Sequence, residues 1–314
     1  MRVKFWGVRG SIPAPLTGEQ VQAKITAAVQ RIGVKDLSSS DARERFLSNL
    51  PEWIFGTVGG NTPCVELKGK GNENIILDAG SGIRAYGKKG EKPSDNHYNI
   101  FFSHFHWDHI QGFPFFDPIY DGKASFDIYS GFENFSEYFE KQQDTPFFPE
   151  SASFKSVQKN MKFHTLSQGK PFVIGGITIK LCRMNHPGNS FSYSFEENGK
   201  KFVFATDVEL SEKDYEADSG KEAVFRNADA VVLDAQYTVE ESYRKANWGH
   251  SAFCSAIDFS VHWGIKTLYL FHHEPSYDDK KIASMLTAAR WYAQYIVHSD
   301  IKIFLATEGL EFEV

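Results

Sequence analysis

Three histidines and an aspartate crowd into six positions, His104-Phe105-His106-Trp107-Asp108-His109, where the apolar run Tyr98-Asn99-Ile100-Phe101-Phe102 ends. The run reads as a buried strand. Side chains two residues apart on an extended segment point the same way. His104 and His106 can therefore grip one ion, and Asp108 and His109, just past them, can face a neighbouring one. Imidazole nitrogen and carboxylate oxygen suit zinc, and catalytic zinc sites keep one position open for water. Further donors stand far along the chain, each at the end of a strand-like run: His186 in Met184-Asn185-His186-Pro187, Asp207 in Ala205-Thr206-Asp207, and His272 in Leu270-Phe271-His272-His273. A carboxylate between two ions can bridge them, and Asp207 is the candidate. Two ions about 3.5–4 Å apart could then clamp an attacked centre. His97, His164, His262 and His298 read as surface or satisfied core histidines.

The remaining signals frame this constellation. Met1–Trp6 alternates apolar and charged residues as a half-buried strand does. Residues 15–52 break the strand pattern. Val21, Ile25, Val29 and Ile32 recur at helical spacing, and serines and an aspartate precede a second short helix. A helical insertion between strands is predicted there. Strands resume with "TPCVELKG" and "ENIILDAG", joined by a Gly-Asn turn. Further on, Asn198-Gly199 between two alternating runs is a strong hairpin signal. Strands alternate with helices at about 251–263 and 279–297 in the last third. Neither repeat nor linker interrupts the order, so one domain over 1–314 is expected. The 41% hydrophobic content and 28 phenylalanines indicate a sizeable, aromatic core. A net charge of −6 and a pI near 6.0 give no general attraction to nucleic acid or anionic membranes. Cys64, Cys182 and Cys254 are too few and too scattered for a disulfide framework and read as reduced thiols. With no membrane span or signal peptide in the pattern, a cytoplasmic location is expected.

The quartet, followed in order by His186, Asp207 and His272, resembles the metallo-β-lactamase superfamily, whose H-x-H-x-D-H motif follows a core strand. The likeness extends to "FWGVRGSIP", "GGNTPCVEL", "ILDAGSGIRAYG", "SHFHWDHIQGFPFF" and "LFHHEP". It implies an α/β fold, the four-layer αβ/βα sandwich, with the helical insertion at about 15–52 as an addition to a single domain. It also implies two divalent metal ions, zinc by preference, with manganese or iron as alternatives. His104, His106 and His186 would hold the first, Asp108, His109 and His272 the second, and Asp207 would bridge. His273, beside His272, is the open alternative for the last ligand.

Within the superfamily, "LDAQYTVEESYRKANWGHSAF" is similar to the tRNase Z and phosphodiesterase branch, where an acidic residue in "HEAT" precedes a histidine in "HST". The matching positions are Asp234 and His250, an acid–histidine pair able to protonate a leaving alkoxide. Gly249-His250-Ser251 can equally be a helix start with Ser251 as N-cap. The resemblance implies a hydrolase, a phosphodiesterase of a small phosphodiester or cyclic nucleotide, with Asp108, Asp234 and His250 as catalytic residues. A thioesterase, a lactonase or a tRNA 3′-processing endonuclease is the alternative, and a non-enzymatic metal- or nucleotide-binding sensor the most distant one. No Gly/Pro-rich, lysine-bearing arm for a tRNA body is visible, which disfavours nucleic acid. No membrane partner is expected, and a homodimer is compatible with the pattern. Ser103, Asn61 and Asp78 are candidates for supporting the ligands, and Phe105 and Trp107 for packing the strand end. The insertion is expected either to cover the site or to decorate the surface.

Overall fold

The computed structural model describes residues 1–71, 73–216 and 219–314. The first sheet holds β1 (Arg2–Gly7), β2 (Cys64–Lys68), β3 (Asn74–Leu77), β4 (His97–Phe102), β5 (Ser125–Ser130) and β6 (Met161–Thr165). The second holds β7 (Phe172–Ile174), β8 (Ile177–Met184), β9 (Ser190–Glu197), β10 (Lys200–Ala205), β11 (Ala230–Asp234), β12 (Thr267–Phe271) and β13 (Lys302–Leu305). The last strand, β14 (Glu311–Glu313), returns to pair with β1 at the edge of the first sheet. The orders are β14-β1-β2-β3-β4-β5-β6 and β13-β12-β11-β10-β9-β8-β7.

Alternation along each strand builds the layers. Ile75 and Leu77 on β3 and Phe101 on β4 face the second sheet, meeting Tyr193, Phe195, Phe204 and Phe271. Their neighbours Ile76, Ile100 and Phe102 face outward onto helices Gly82–Lys89 and Ser136–Gln142. On the far side, Val231, Leu233, Leu268 and Leu270 pack against helices Phe253–His262 and Asp279–Tyr295. Helix, sheet, sheet and helix form the four-layer αβ/βα sandwich. Among the described residues, no helix is long and apolar enough to cross a membrane.

Strand direction places the chemistry. β3 and β4 run parallel, as do β10, β11 and β12, so their C-terminal ends emerge together. β8 is antiparallel to β9 and β9 to β10, so β8 ends at the same edge. Across it, Arg9 forms a backbone bridge with His273 and ties the two sheets. Arg9 is buried and donates to the carbonyls of Gly59, Glu274 and Tyr277.

The β9–β10 hairpin turns on Asn198 and Gly199 with φ of 52° and 74°, as the dipeptide predicts. The β2–β3 turn falls partly outside the described residues. Helices Gly18–Val29 and Ser40–Ser48 form in the insertion, capped by Thr17 and Ser39. The apolar spacing of the first misleads, however. Val21, Ile25 and Val29 are 41%, 59% and 64% exposed, because the helix is held by a charge instead of an apolar face. Its Lys24 binds Asp279 at 2.7 Å and also donates to the carbonyls of Trp53 and Gly56. Among the described residues, no hydrogen bond or ion pair links the insertion to the histidine–aspartate cluster. All three cysteines are free thiols. Helix Phe253–His262 is capped by Ala252; Ser251 instead donates to the Val208 carbonyl and accepts from Leu210 N–H.

Phe101 carries the strand that leads into the motif, stacked on Tyr129 at 4.6 Å and edge-on to Tyr193 and Phe195. Phe101→Ala should destabilise the fold by about 3–5 kcal/mol, read by urea unfolding, since it opens a cavity between two sheets that cannot both collapse.

Candidate metal centre

The chain leaves the β pleat at Phe102, sooner than alternation over the motif requires. His106 is the N-cap of the short helix Trp107–Ile110. A turn, not strand periodicity, brings the rings of His104 and His106 to 4.5 Å. The same turn delivers Asp108 and His109, both buried, from the helix. The other donors stand at strand ends. Asp78, Asp207 and His272 follow β3, β10 and β12 with φ of 59°, 54° and 60°. Left-handed backbone is costly for residues other than glycine and tends to cluster at functional sites. Here it turns each side chain back over the end of its sheet.

Hydrogen-bond partners fix which nitrogen of each ring is left open. His186 Nδ1 lies 2.8 Å from the Gly249 carbonyl and His109 Nδ1 2.8 Å from Asp78 Oδ2. Both partners only accept, so each Nδ1 carries a proton and each Nε2 keeps a lone pair in the neutral ring. Ser103 Oγ donates to Asp78 Oδ2 at 2.7 Å, so its oxygen accepts from His104 Nδ1 at 3.1 Å. Gln236 Nε2 donates to Glu274 at 2.9 Å, which points its Oε1 at His272 Nδ1, 3.1 Å away.

The open atoms converge in two groups around Asp207. Donors of His104, His106, His186 and Asp207 lie within 4.8 Å of one another, and so do those of Asp108, His109, Asp207 and His272. Asp207 Oδ1 faces His104 and His186 at 3.6 and 3.9 Å, whereas Oδ2 faces His109 and His272 at 3.1 and 3.3 Å. His186 Nε2 is 3.0 Å from His106 Nδ1, and His109 Nε2 is 3.4 Å from His272 Nε2. Nitrogens so close repel unless a proton or a cation stands between them. His104 Nε2 is buried with no hydrogen-bond partner among the described residues. An orphaned lone pair aimed at a carboxylate-lined gap is the mark of a cation site. The donor set therefore fits divalent cations.

Electrostatics divides the two groups. Burial, reinforced by nearby imidazoles, holds His104, His106 and His186 below the ordinary imidazole range, keeping their lone pairs available. Burial also opposes charge on His109, but Asp207, Asp108 and Asp78 override it and raise its pKa well above normal. The counter-effect keeps Asp108 and Asp207 ionised despite burial. His273 is a different case. Its Nε2 donates to the Ala306 carbonyl at 2.9 Å and burial pushes its pKa down to about 3. The structure brings His272, not His273, to the cluster.

A third group, Asp234, His250 and His272, adjoins the second. Asp234 Oδ2 accepts from His250 Nδ1 at 2.7 Å, and the His250 ring stacks on His272 at 4.8 Å. Burial disfavours its charge, yet Asp234 and then Asp207 raise its pKa to about 9. Its Nε2 makes no hydrogen bond among the described residues.

The profile described as a β-lactamase superfamily domain matches residues 73–273, more than half of the chain. The chain belongs to the β-lactamase superfamily. A comparison with curated proteins found no match. Among solved structures, the metallo-β-lactamase fold protein YhfI from Bacillus subtilis is similar, with TM-score 0.65 and 16% identity over 100% of this chain and 98% of that one. A diphosphatase from the PhnP family gives TM-score 0.62 and 17% identity over 100% and 98%. The short form of human tRNase Z gives 0.59 and 16% over 100% and 99%. The superfamily comprises metal-dependent hydrolases, and in this member the histidine–aspartate clusters could hold the metal.

Some of the surroundings were not foreseen. Gln236, Glu274 and the Gly249 carbonyl hold ring orientations but carry no motif signature. Gln236 lies two residues past Asp234, and that same-side spacing is its one sequence signal. The opening segment "FWGVRGSIP" lines the site: Ser11 N–H donates to Asp108 Oδ2 at 2.7 Å, and any side chain at Gly10 would meet the His272 ring at 2.5 Å. Ser103 and Asp78 bond the His104 and His109 rings, whereas Asn61 bonds Glu308 and Ser81. Phe105 packs among Phe102, Phe132 and Phe135, whereas Trp107 is 66% exposed. Gln236→Leu should weaken zinc affinity by about 10–100-fold in competition with a chromophoric chelator, because the lost acceptor frees the His272 ring.

Proposed function

We propose that this member of the superfamily is a dinuclear metal-dependent phosphodiesterase acting on a small phosphodiester such as a cyclic nucleotide. His104, His106 and His186 would hold one ion, Asp108, His109 and His272 the other, and the two oxygens of Asp207 one each. Two such ions supply an activated water at neutral pH and stabilise charge on phosphoryl oxygens. The observation that carries the reading is the Asp234–His250 pair, with Nδ1 on the carboxylate and Nε2 left open beside His272.

The chain's own residues divide the proton work. Asp108 has one oxygen on the Ser11 N–H and Oδ1 without a hydrogen bond among the described residues. That second oxygen receives the proton of the attacking water. As the bond from phosphorus to the leaving oxygen breaks, His250 Nε2 gives its proton to the alkoxide, leaving an alcohol and a phosphomonoester. Asp234 holds the ring in the required tautomer, as a carboxylate does for a catalytic imidazole. A thioester hydrolase needs such an acid much less, because a thiolate leaves unaided. The diphosphatase and tRNase Z among the similar structures act on phosphoryl groups, which agrees with this choice.

His250→Ala should slow hydrolysis of a cyclic nucleotide, whose leaving group is an alkoxide, by about 10²–10⁴-fold while metal content stays at two equivalents; undiminished turnover would refute the diesterase reading. Protein purified without chelator should contain two equivalents of transition metal, and His186→Ala and His272→Ala should each lose one. A wild-type content of one equivalent or less would refute the dinuclear assignment.

A further inference from the structure

Two tryptophans border the cluster with their indoles in water. Trp107, between His106 and Asp108, is 66% exposed and Trp248 is 63% exposed. Consecutive Cα atoms lie about 3.8 Å apart, so Trp107 is seated next to one member of each metal-binding group. Trp248 precedes Gly249, whose carbonyl holds His186 Nδ1. The approach at Gly249 is so close that a Cβ there would lie 2.2 Å from that nitrogen. His186 in turn touches His106 at 3.0 Å. The two tryptophans thus adjoin, along the chain, residues of the same rim, where His106 itself is exposed.

Trp248 is not exposed through looseness of its loop. It stands between two left-handed residues, Asn247 and Gly249, with φ of 68° and 89°. The N–H groups of both bond the Glu209 carboxylate, at 2.8 and 2.9 Å. The pinned backbone presents the indole outward. Lys245 Nζ lies 5.7 Å over the Trp248 ring and 4.4 Å over that of Tyr237, whose ring is 5.8 Å from His250. Lys245 is itself fixed by Glu274 at 3.2 Å. The cation thus sits against the Trp248 ring, which stays 63% exposed. Trp107 has no ring or cation partner among the described residues. A rigid, exposed indole stacks a planar heterocycle, and such stacking tolerates any base because every base has a π-face.

We propose that Trp107 and Trp248 form an aromatic subsite at the rim of the cluster that takes the nucleobase of a nucleoside phosphodiester. The inference rests on the diesterase reading and narrows its substrate from any small diester to one bearing a flat heterocycle. Lys245 tunes the site by sitting against the Trp248 ring, so that the base stacks from the solvent side.

The test uses the metal-loaded full chain on thymidine 5′-(p-nitrophenyl phosphate) and methyl p-nitrophenyl phosphate, which release the same phenolate and differ in the base. Wild-type kcat/KM should favour the thymidine ester. Trp248→Ala should lower that ratio by about 5- to 100-fold, Trp107→Ala should lower it in the same direction, and Trp248→Phe should restore most of it. Trp291→Ala, which removes an exposed indole on the outer helix Asp279–Tyr295, should leave the ratio unchanged. Titration calorimetry with thymidine 5′-monophosphate gives a readout independent of turnover, and its affinity should fall in Trp248→Ala by the same factor. Equal ratios in wild type and both alanine variants, with unchanged nucleotide affinity, would overturn the subsite. If neither ester is cleaved, the diesterase reading fails, and the nucleotide titration alone then decides whether the indoles bind a base.

Discussion

Asp207 divides its two oxygens between two sets of imidazole nitrogens, and the arrangement of the chain edge follows from making that possible. A buried carboxylate and five converging histidines are costly to keep from water unless their charges and lone pairs are matched. The matching is done by direction. Four of the rings have one nitrogen committed to an acceptor, on Asp78, Ser103, Gly249 or Gln236, which leaves the other aimed at Asp207 or its neighbours. The fifth, His106, is the exposed one, at the rim where a substrate would enter. Left-handed backbone at Asp78, Asp207 and His272 stores local strain that the packed sheets beneath are able to hold.

The supporting elements have distinct duties. Asp78 binds Ser103 through backbone and side chain and His109 through its ring, so one carboxylate aligns the end of β4 and the helix after it. Arg9 holds the segment after β1 against Glu274 and Tyr277, and that segment delivers Gly10 to the face of His272 and Ser11 N–H to Asp108. Asp279 takes both Arg9 and Lys24, so the insertion is anchored to the same buried carboxylate that steadies the opening segment. The insertion thus bears on the site through the frame.

Much of this was legible in the residues because the chemistry is compact and the fold is periodic. The apolar runs in Asn74–Leu77 and His97–Phe102, the Asn198-Gly199 turn and the ligand-type residues at strand ends each have a local signature. Other features have none. The exposure of Val21, Ile25 and Val29 contradicts their helical spacing, since burial depends on what lies opposite and here Lys24 does the anchoring. Trp107 sits in the most informative stretch of the chain, yet its neighbours could not tell whether it packs the strand end or faces solvent. Ser251 looked like a helix cap and instead joins two loops across Val208 and Leu210.

The sequence by itself determined the donors, their order and the strands that carry them, because metal-binding side chains and two-residue periodicity are local properties of a chain. It favoured His272 over His273 only by the family's pattern, and it could not say which nitrogen of any ring is free. Tertiary structure decided both. His273 turns to the Ala306 carbonyl while His272 meets Gln236 and Asp108, a choice set by partners 33, 36 and 164 residues away. Contacts of that range depend on how two sheets stack, and no spacing along the chain encodes them.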